Sequence, residues 1–234
     1  GYTVEGRPMP LAVIGAPNAT PAAVLATGKT RVFIQGNIHA GEVEGKEAAL
    51  WLLRSLARGE RANWLRDVVL LITPIYNADG NERVNVRNRS AQHGPVGGMG
   101  QRHNAQDLDL NRDGTKLETP EARSMARLLT RYDPHVAIDL HTTNGTDHGF
   151  FLTYEIGLNP NTSPGITSLL RNDLLPAVTS AVKARHGWDF FYYGGVASRQ
   201  GERAWWGDLD RYKPRYTSTY FGIRHHIGIL SETT

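Results

Sequence analysis

Histidine or glutamate stands at the end of three short apolar runs in this sequence. The first run leads into His39-Ala40-Gly41-Glu42, another ends at His141, and the last leads to Glu232. Imidazole and carboxylate are zinc ligands, and two histidines with one glutamate leave a fourth coordination position for water, which is the catalytic arrangement. These residue types therefore predict a catalytic metal centre.

Spacing alone does not establish that centre. The His39-x-x-Glu42 pair equally fits a surface histidine beside a glutamate that starts a helix. Glu232 by itself fits an exposed residue near the end of the chain. The position of the residues is more informative, because ligands in open α/β sheets gather at the carboxyl ends of the strands, where the three stretches can converge.

The elements that must position these residues alternate between β-rich and helical runs. This alternation predicts a mainly parallel sheet covered by helices. The long, polar, glycine-rich stretch 77–104 predicts a functional loop. Strands are predicted at 31–35, 68–72, 135–140 and 227–230, and helices at 43–57, 120–132 and 166–185, the last bent or interrupted near Pro176.

Composition narrows the possible classes of protein. The 234 residues contain 26 Lys+Arg and 23 Asp+Glu, and a net charge of +3 does not indicate a nucleic-acid partner. Cysteine is absent, which excludes disulfides and thiolate chemistry. No apolar run approaches the 18 residues of a membrane span, so no membrane partner is expected.

The two ends of the sequence give expectations about processing. Gly1 stands where a methionine would, and no signal-peptide pattern follows it, so localisation is not readable; secretion or a periplasmic location fits if a leader was removed. The last predicted strand ends four residues before Thr234. We therefore expect that more protein once followed.

A second group of motifs carries a family resemblance. The run from Gly100 to Arg112 reads Gly-Gln-Arg-His-Asn-Ala-Gln-Asp-Leu-Asp-Leu-Asn-Arg. Together with the other motifs it resembles the zinc metallocarboxypeptidase family of carboxypeptidases A and B, and the place of Arg102 is similar to the carboxypeptidase N/E-like branch. The other motifs are His39-Ala40-Gly41-Glu42, Asn77-Ala78-Asp79-Gly80, Asp139-Leu140-His141-Thr142 and Ser231-Glu232.

The resemblance extends from about Tyr2 to Glu232 and implies a fold. That fold is a three-layer α/β/α sandwich around a mixed, mainly parallel sheet of about eight strands, with zinc in a cleft at one sheet edge. We expect residues 1–234 to form one catalytic domain, truncated after the strand that carries Glu232.

The same resemblance implies a metal centre with one Zn²⁺ ion. His39, Glu42 and His141 would be its ligands. Glu232 would be the general base that takes a proton from zinc-activated water, and Asp109 would accept a hydrogen bond from the remaining nitrogen of His39.

Three further residues are implied to bind the substrate. Arg102 would stabilise the developing oxyanion, and we prefer it to Arg87 and Arg89 because of its register with the 109–112 run. Asn111 and Arg112 would hold the terminal carboxylate. The family also places a tyrosine over the substrate, and Tyr216 is the candidate, although this region departs from the family pattern. Residues that set side-chain preference are expected within 199–219.

The implied function is hydrolysis of the C-terminal peptide bond of a peptide or small amide with a free carboxylate. Two alternatives stay open. One is an enzyme of the same fold that cuts peptidoglycan stem peptides or deacylates an amino acid. The other is a catalytically silent binding module, which loss of a ligand or of the base would reveal.

Overall fold

A mixed sheet forms the centre of the fold in the computed structural model, which describes residues 1–92, 94–146, 148–199, 202–206 and 209–233. The strands found there are β1 (Ala12–Ile14), β2 (Thr30–Gly36), β3 (Val68–Thr73), β4 (Val136–Thr142), β5 (Leu152–Ile156), β6 (Phe190–Tyr192), β7 (Gly195–Arg199), β8 (Glu202–Trp206) and β9 (Ile227–Thr233).

Seven of these strands form one sheet in the order β1-β3-β2-β4-β9-β5-β6. The four adjacent strands β3, β2, β4 and β9 are parallel, whereas β1 runs antiparallel to β3 and β5 runs antiparallel to β9. The mixed, mainly parallel sheet is thus confirmed. The sheet has seven strands in the described residues, consistent with the expected number of about eight, and β7 and β8 pair with each other as a hairpin and not with the sheet.

Helices flank the sheet and follow the predicted pattern. Within the described ranges, no helix is long and apolar enough to cross a membrane. The helices are α1 (Pro21–Ala26), α2 (Val43–Ala57), α3 (Ala78–Glu82), α4 (Pro120–Tyr132), α5 (Pro164–Ser168), α6 (Leu175–His186) and α7 (Thr217–Ile223), with 3₁₀ turns at Ala62–Arg66, Leu110–Arg112 and Leu209–Tyr212.

Apolar side chains on both faces of the sheet make the three layers. Alternate residues of β2 point to opposite faces, so Ile34 packs towards α2 while Phe33 packs towards α4 and α7. The expected α/β/α sandwich is confirmed. The α2 face includes Ala49, Leu56, Leu70 and Ile72, and the opposite face includes Leu71, Met125, Leu129, Ala137 and Phe221.

A local sequence signal explains where α4 begins, and two further segments can be compared with their predictions. The Thr119 hydroxyl accepts from the amide of Ala122, so α4 begins at Pro120 as predicted. The helix continues across Pro176 and departs from α-helical geometry just before it, where a π-helical segment, Leu169–Leu174, joins α5 to α6. Proline lacks an N–H, which accounts for a distortion at this place. The stretch 77–104 is not loop throughout, since it contains α3.

The strand order decides where the chemical residues meet. β2, β4 and β9 are adjacent and parallel, so their carboxyl ends lie at one edge of the sheet. His141 of β4 is directly in register with Glu232 of β9, and the turn after β2 carries His39 and Glu42. The predicted convergence of three strand ends is present.

Close contact between α2 and β4 fixes this edge. A Cβ atom added to Gly45 would lie 2.6 Å from Cβ of Leu140 and 2.9 Å from its carbonyl oxygen. Helix α2 therefore lies as near to the strand that carries His141 as a glycine allows.

We expect the Gly45→Ala substitution to lower the free energy of unfolding by about 1–3 kcal/mol, because the added methyl group overpacks this contact. Urea unfolding measures the change. Gly97→Ala is the matched control, since no atom lies within 4 Å of the Cβ that it adds. Equal stability of the two variants would contradict the close-approach argument.

Candidate metal centre

A tight turn after β2 brings His39 and Glu42 together. Asn37 adopts a left-handed conformation (φ 64°), and its side-chain amide donates to the carbonyl of Ala40 at 3.0 Å. The amide of Glu42 then donates to the carbonyl of His39 at 2.9 Å. Asparagine tolerates this backbone conformation better than most residues, so the local sequence favours the turn.

Glu42 bridges the two histidines. Its Oε1 lies 2.8 Å from Nδ1 of His39, and its Oε2 lies 2.7 Å from Nδ1 of His141. All three side chains are buried, and one ligand atom from each falls within 4.8 Å of the others. These are the residues that the resemblance implied as zinc ligands, and they form the one such cluster in the described part of the chain.

A further carboxylate contacts the far side of each imidazole ring. Nε2 of His39 lies 3.0 Å from Oδ1 of Asp109, and Nε2 of His141 lies 2.9 Å from Oδ2 of Asp139. A carboxylate can only accept, so each Nε2 carries the proton, and Nδ1 of a neutral imidazole is left as an acceptor. Two acceptors as close as Nδ1 and the Glu42 oxygens need a proton or a metal cation between them.

The protonation behaviour of these groups indicates the same need. Burial lowers the pKa of His141, but Asp139 and Glu42 outweigh it and hold that pKa well above its ordinary value. Burial raises the pKa of Glu42, yet the two imidazoles bring it well below the usual range. The site thus favours positive charge between its nitrogens and oxygens, and its donor set fits a zinc ion.

Arg89 is a contact of this cluster that sequence reasoning missed. Its Nη2 lies 3.0 Å from Oε1 of Glu42, and it also donates to the carbonyls of Thr142 and Thr143. The side chain is buried, so Arg89 does not belong to the solvated surface arginines. A left-handed backbone (φ 55°) at this residue turns the loop inward, and no sequence pattern signals that turn.

Asp109 links the metal cluster to the arginine that the resemblance assigned to the oxyanion. Its Oδ2 accepts from Nε and Nη2 of Arg102 at 3.1 and 2.9 Å, while its Oδ1 accepts from His39 and from the amide of Asn111. Nη1 of Arg102 lies 3.8 Å from Oε1 of Glu42. The Arg102 guanidinium is therefore fixed beside the cluster.

Asn111 and Arg112 follow in the same 3₁₀ turn. The Oδ1 atom of Asn111 accepts from the backbone amide of Thr217, so its Nδ2 group faces His141. Arg112 donates to the carbonyl of Asn111 at 2.7 Å, and its guanidinium carbon lies 4.2 Å from the centre of the Tyr216 ring. Burial lowers the pKa of Arg112.

The tyrosine implied to cover the substrate is buried. Tyr216 precedes α7 and lies against Arg112, with its hydroxyl accepting from Nη2 of Arg215 at 3.2 Å. A different tyrosine, Tyr193, lines the cleft beside the metal cluster. The capping role of Tyr216 stays a prediction.

Glu232 is buried next to the cluster. Burial raises its pKa, and the negative charge of Glu42 acts in the same direction, whereas His141 and Arg211 oppose the change. Nη2 of Arg211 lies 3.7 Å from Oε1 of Glu232. This carboxylate faces a cleft of about 80 Å³ that the metal cluster, Arg102, Asn111 and Arg112 also line.

Arg211 and Glu155 were not predicted individually. Arg211 lies within the range 199–219, of which residues 200, 201, 207 and 208 are outside the described residues. Its Nη1 lies 3.0 Å from Oε2 of Glu155, a buried acid in β5. An acidic residue inside an otherwise uncharged strand is the sequence signal that could have revealed the pair, because buried charges need partners.

Comparison with known proteins places this site in a family. The family model described as zinc carboxypeptidase matches residues 1–146, more than half of the chain. The chain belongs to the zinc carboxypeptidase family. The matched part includes His39, Glu42, His141, Arg102 and the 109–112 run, whereas Arg211 and Glu232 lie beyond it.

Individual members of the zinc carboxypeptidase family match parts of the chain. Carboxypeptidase 2 of Trichophyton tonsurans is 31% identical over 139 residues, covering 58% of this chain and 23% of that protein. Carboxypeptidase D of Rattus norvegicus is 36% identical over 168 residues, covering 60% of this chain and 12% of that protein. The chain thus spans about a quarter or less of the length of these curated relatives.

A solved structure supports the fold. The metallo-carboxypeptidase from Burkholderia cenocepacia superposes with a TM-score of 0.66 at 18% identity, covering 100% of this chain and 54% of that one. At this identity the likeness concerns the zinc carboxypeptidase fold alone. It agrees with the α/β/α architecture described above.

Asp109→Asn should weaken zinc binding about 10- to 100-fold, because the amide cannot hold the Nε2 proton of His39 as a carboxylate does. Competition with a chromophoric chelator measures the dissociation constant. Asp107→Asn is the control: Asp107 is exposed, and its left-handed backbone suits asparagine. Equal zinc affinity in the two variants would show that Asp109 does not support the site.

Proposed function

We propose that this protein is a zinc-dependent carboxypeptidase that hydrolyses the C-terminal peptide bond of a peptide. One observation carries the proposal: the metal cluster, Glu232 and the Asn111–Arg112 pair open onto a single cleft. If a substrate's terminal carboxylate is bound at Asn111 and Arg112, the peptide bond that lies next to the metal cluster is the last bond of the substrate chain.

His39 and His141 would hold zinc through Nδ1, and Glu42 through its carboxylate. When bound, zinc supplies a Lewis acid that polarises the scissile carbonyl and makes water a stronger nucleophile at neutral pH. Asp109 and Asp139 keep both rings oriented for this task, since each fixes the proton on Nε2.

Glu232 would serve as the general base. Its buried carboxylate has a raised pKa, so it holds a proton more firmly than an exposed glutamate does. It would accept a proton from the attacking water and pass it to the departing amine, which is the exchange that a group with a pKa nearer neutrality performs best.

Arg102 would stabilise the oxyanion that develops on the scissile carbonyl. The two hydrogen bonds to Asp109 hold its guanidinium in place before substrate arrives. A fixed cation of this kind needs no reorganisation during the reaction, which makes it effective at stabilising a developing charge.

Asn111 and Arg112 would bind the terminal carboxylate. The backbone amide of Thr217 donates to Oδ1 of Asn111. The Nδ2 group of Asn111 is therefore the donor that would bind an anion. The planar guanidinium of Arg112 stacks on Tyr216 and matches a carboxylate in two-pronged geometry. We include Tyr216 in the binding site for this support and for its predicted capping role.

Neither alternative from the sequence has a specific observation in its favour. A silent binding module would lack a ligand or the base, whereas His39, Glu42, His141 and Glu232 are all present and converge. The distinction between peptides and stem peptides depends on side-chain recognition beyond the anchor.

We expect Glu232→Gln to retain zinc and lose about three orders of magnitude or more in kcat, because the amide cannot take up the proton. Turnover of a blocked dipeptide, with zinc content measured in parallel, tests this. Glu118→Gln is the control, since Glu118 is exposed. Undiminished turnover in Glu232→Gln would rule out the mechanism.

Arg112→Ala should lower kcat/KM for substrates with a free terminal carboxylate about 10- to 100-fold, the range for a lost charge-assisted bond of about 1.5–3 kcal/mol. The same peptides with amidated ends are the control and should change little. Equal losses on both sets would indicate an endopeptidase or a different anchor.

A further inference from the structure

A third guanidinium, that of Arg211, lines the same cleft as the proposed carboxylate anchor. It lies near two aromatic rings, with its guanidinium carbon 4.0 Å from the centre of Tyr193 and 5.9 Å from that of Tyr216. Its Nη1 is 3.0 Å from Oε2 of Glu155. These contacts hold the cation against one wall of the cleft.

Arginine side chains form much of the charged lining of the cleft. Besides the metal cluster and Glu232, the ionisable lining residues in the described part of the chain are Arg102, Arg112 and Arg211, apart from the phenol of Tyr193. Arg102 already forms two hydrogen bonds with Asp109. One terminal carboxylate can pair with Arg112, and Arg211 presents a second guanidinium to the same cleft.

Arg112 and Arg211 are close enough to bind two groups of one residue. The guanidinium carbon of Arg112 lies 4.2 Å from the centre of the Tyr216 ring, and that of Arg211 lies 5.9 Å from the same point. The distance between the two guanidinium carbons therefore cannot exceed the sum of these distances. The α-carboxylate and the side-chain carboxylate of aspartate or glutamate are separated by only two or three bonded carbons. A C-terminal aspartate or glutamate placed between Arg112 and Arg211 can therefore contact both guanidinium groups.

Glu155 contacts the Arg211 guanidinium but does not itself line the cleft. It is buried, and burial raises its pKa to about 7. Glu155 therefore carries less negative charge at neutral pH than an ordinary glutamate, and it compensates the charge of Arg211 less fully. Glu232, at 3.7 Å, contacts Arg211 as an ion pair and not as a hydrogen bond.

We propose that Arg211 binds a side-chain carboxylate, so that the cleft prefers substrates whose C-terminal residue is aspartate or glutamate. This assignment deepens the proposed carboxypeptidase function and rests on it. A lysine or arginine side chain in the same place would meet the like charge of Arg211 before it could reach Glu155.

The test uses the zinc-loaded protein and four N-acetyl-alanyl dipeptides ending in Glu, Gln, Leu or Lys. Glu and Gln differ only in charge, so their kcat/KM ratio isolates the contribution of the carboxylate. We expect Glu to exceed Gln at least tenfold and Lys to be the poorest substrate.

Variants assign that ratio to Arg211. The double variant Arg211→Gln/Glu155→Gln removes both charges, which avoids a buried unpaired acid, and should bring the Glu/Gln ratio close to 1. Arg211→Lys should keep part of the preference, and Glu155→Gln should keep or increase it. Arg127→Gln, on the exposed surface of α4, removes the same charge elsewhere and should leave the ratio unchanged.

The outcomes separate the inference from the proposed function. A best substrate ending in Lys or Leu, or a Glu/Gln ratio that survives in the double variant, overturns the role of Arg211 while leaving a carboxypeptidase. If no dipeptide is hydrolysed, the function fails, and calorimetric binding of L-glutamate against L-glutamine decides the inference. Tighter glutamate binding that the double variant loses supports it, and equal binding overturns it.

Discussion

Two buried imidazoles, each held between carboxylates, are the constraint on which this site depends. Glu42 contacts Nδ1 of both rings, while Asp109 and Asp139 contact the two Nε2 atoms. Burying so many acceptors is unfavourable unless positive charge compensates them. His39, Glu42 and His141 would hold a metal ion that supplies this charge. The strand ends and turns of the backbone keep these three side chains in place.

The site is also continuous with its substrate anchor, because Asp109 belongs to both. One of its oxygens holds His39 and starts the turn that carries Asn111 and Arg112, and the other holds Arg102. Thr217 at the start of α7 then orients Asn111 and donates to Asp139. Disturbing the position of the metal ligands should therefore disturb the anchor, since the same side chains set both.

Sequence patterns predicted the parallel strands and the convergence of functional residues at their carboxyl ends, because both follow from short-range regularities of the chain. The set of metal ligands came from the family resemblance. Sequence patterns could not predict contacts set by tertiary packing. Arg89 reaches Glu42 through an irregular loop, and the Glu155–Arg211 pair joins β5 to a turn more than fifty residues later. The roles of Arg102, Asn111, Arg112, Tyr216 and Glu232 stay predictions that the geometry supports.

The central claim is that His39, Glu42 and His141 share one divalent cation. Anomalous scattering from crystals of the zinc-loaded protein, recorded on both sides of the zinc absorption edge, tests it most directly. The account predicts a single peak at first-coordination distance, about 2 Å, from Nδ1 of both histidines and from a Glu42 oxygen. No peak there, or a peak bound by other residues, would contradict it.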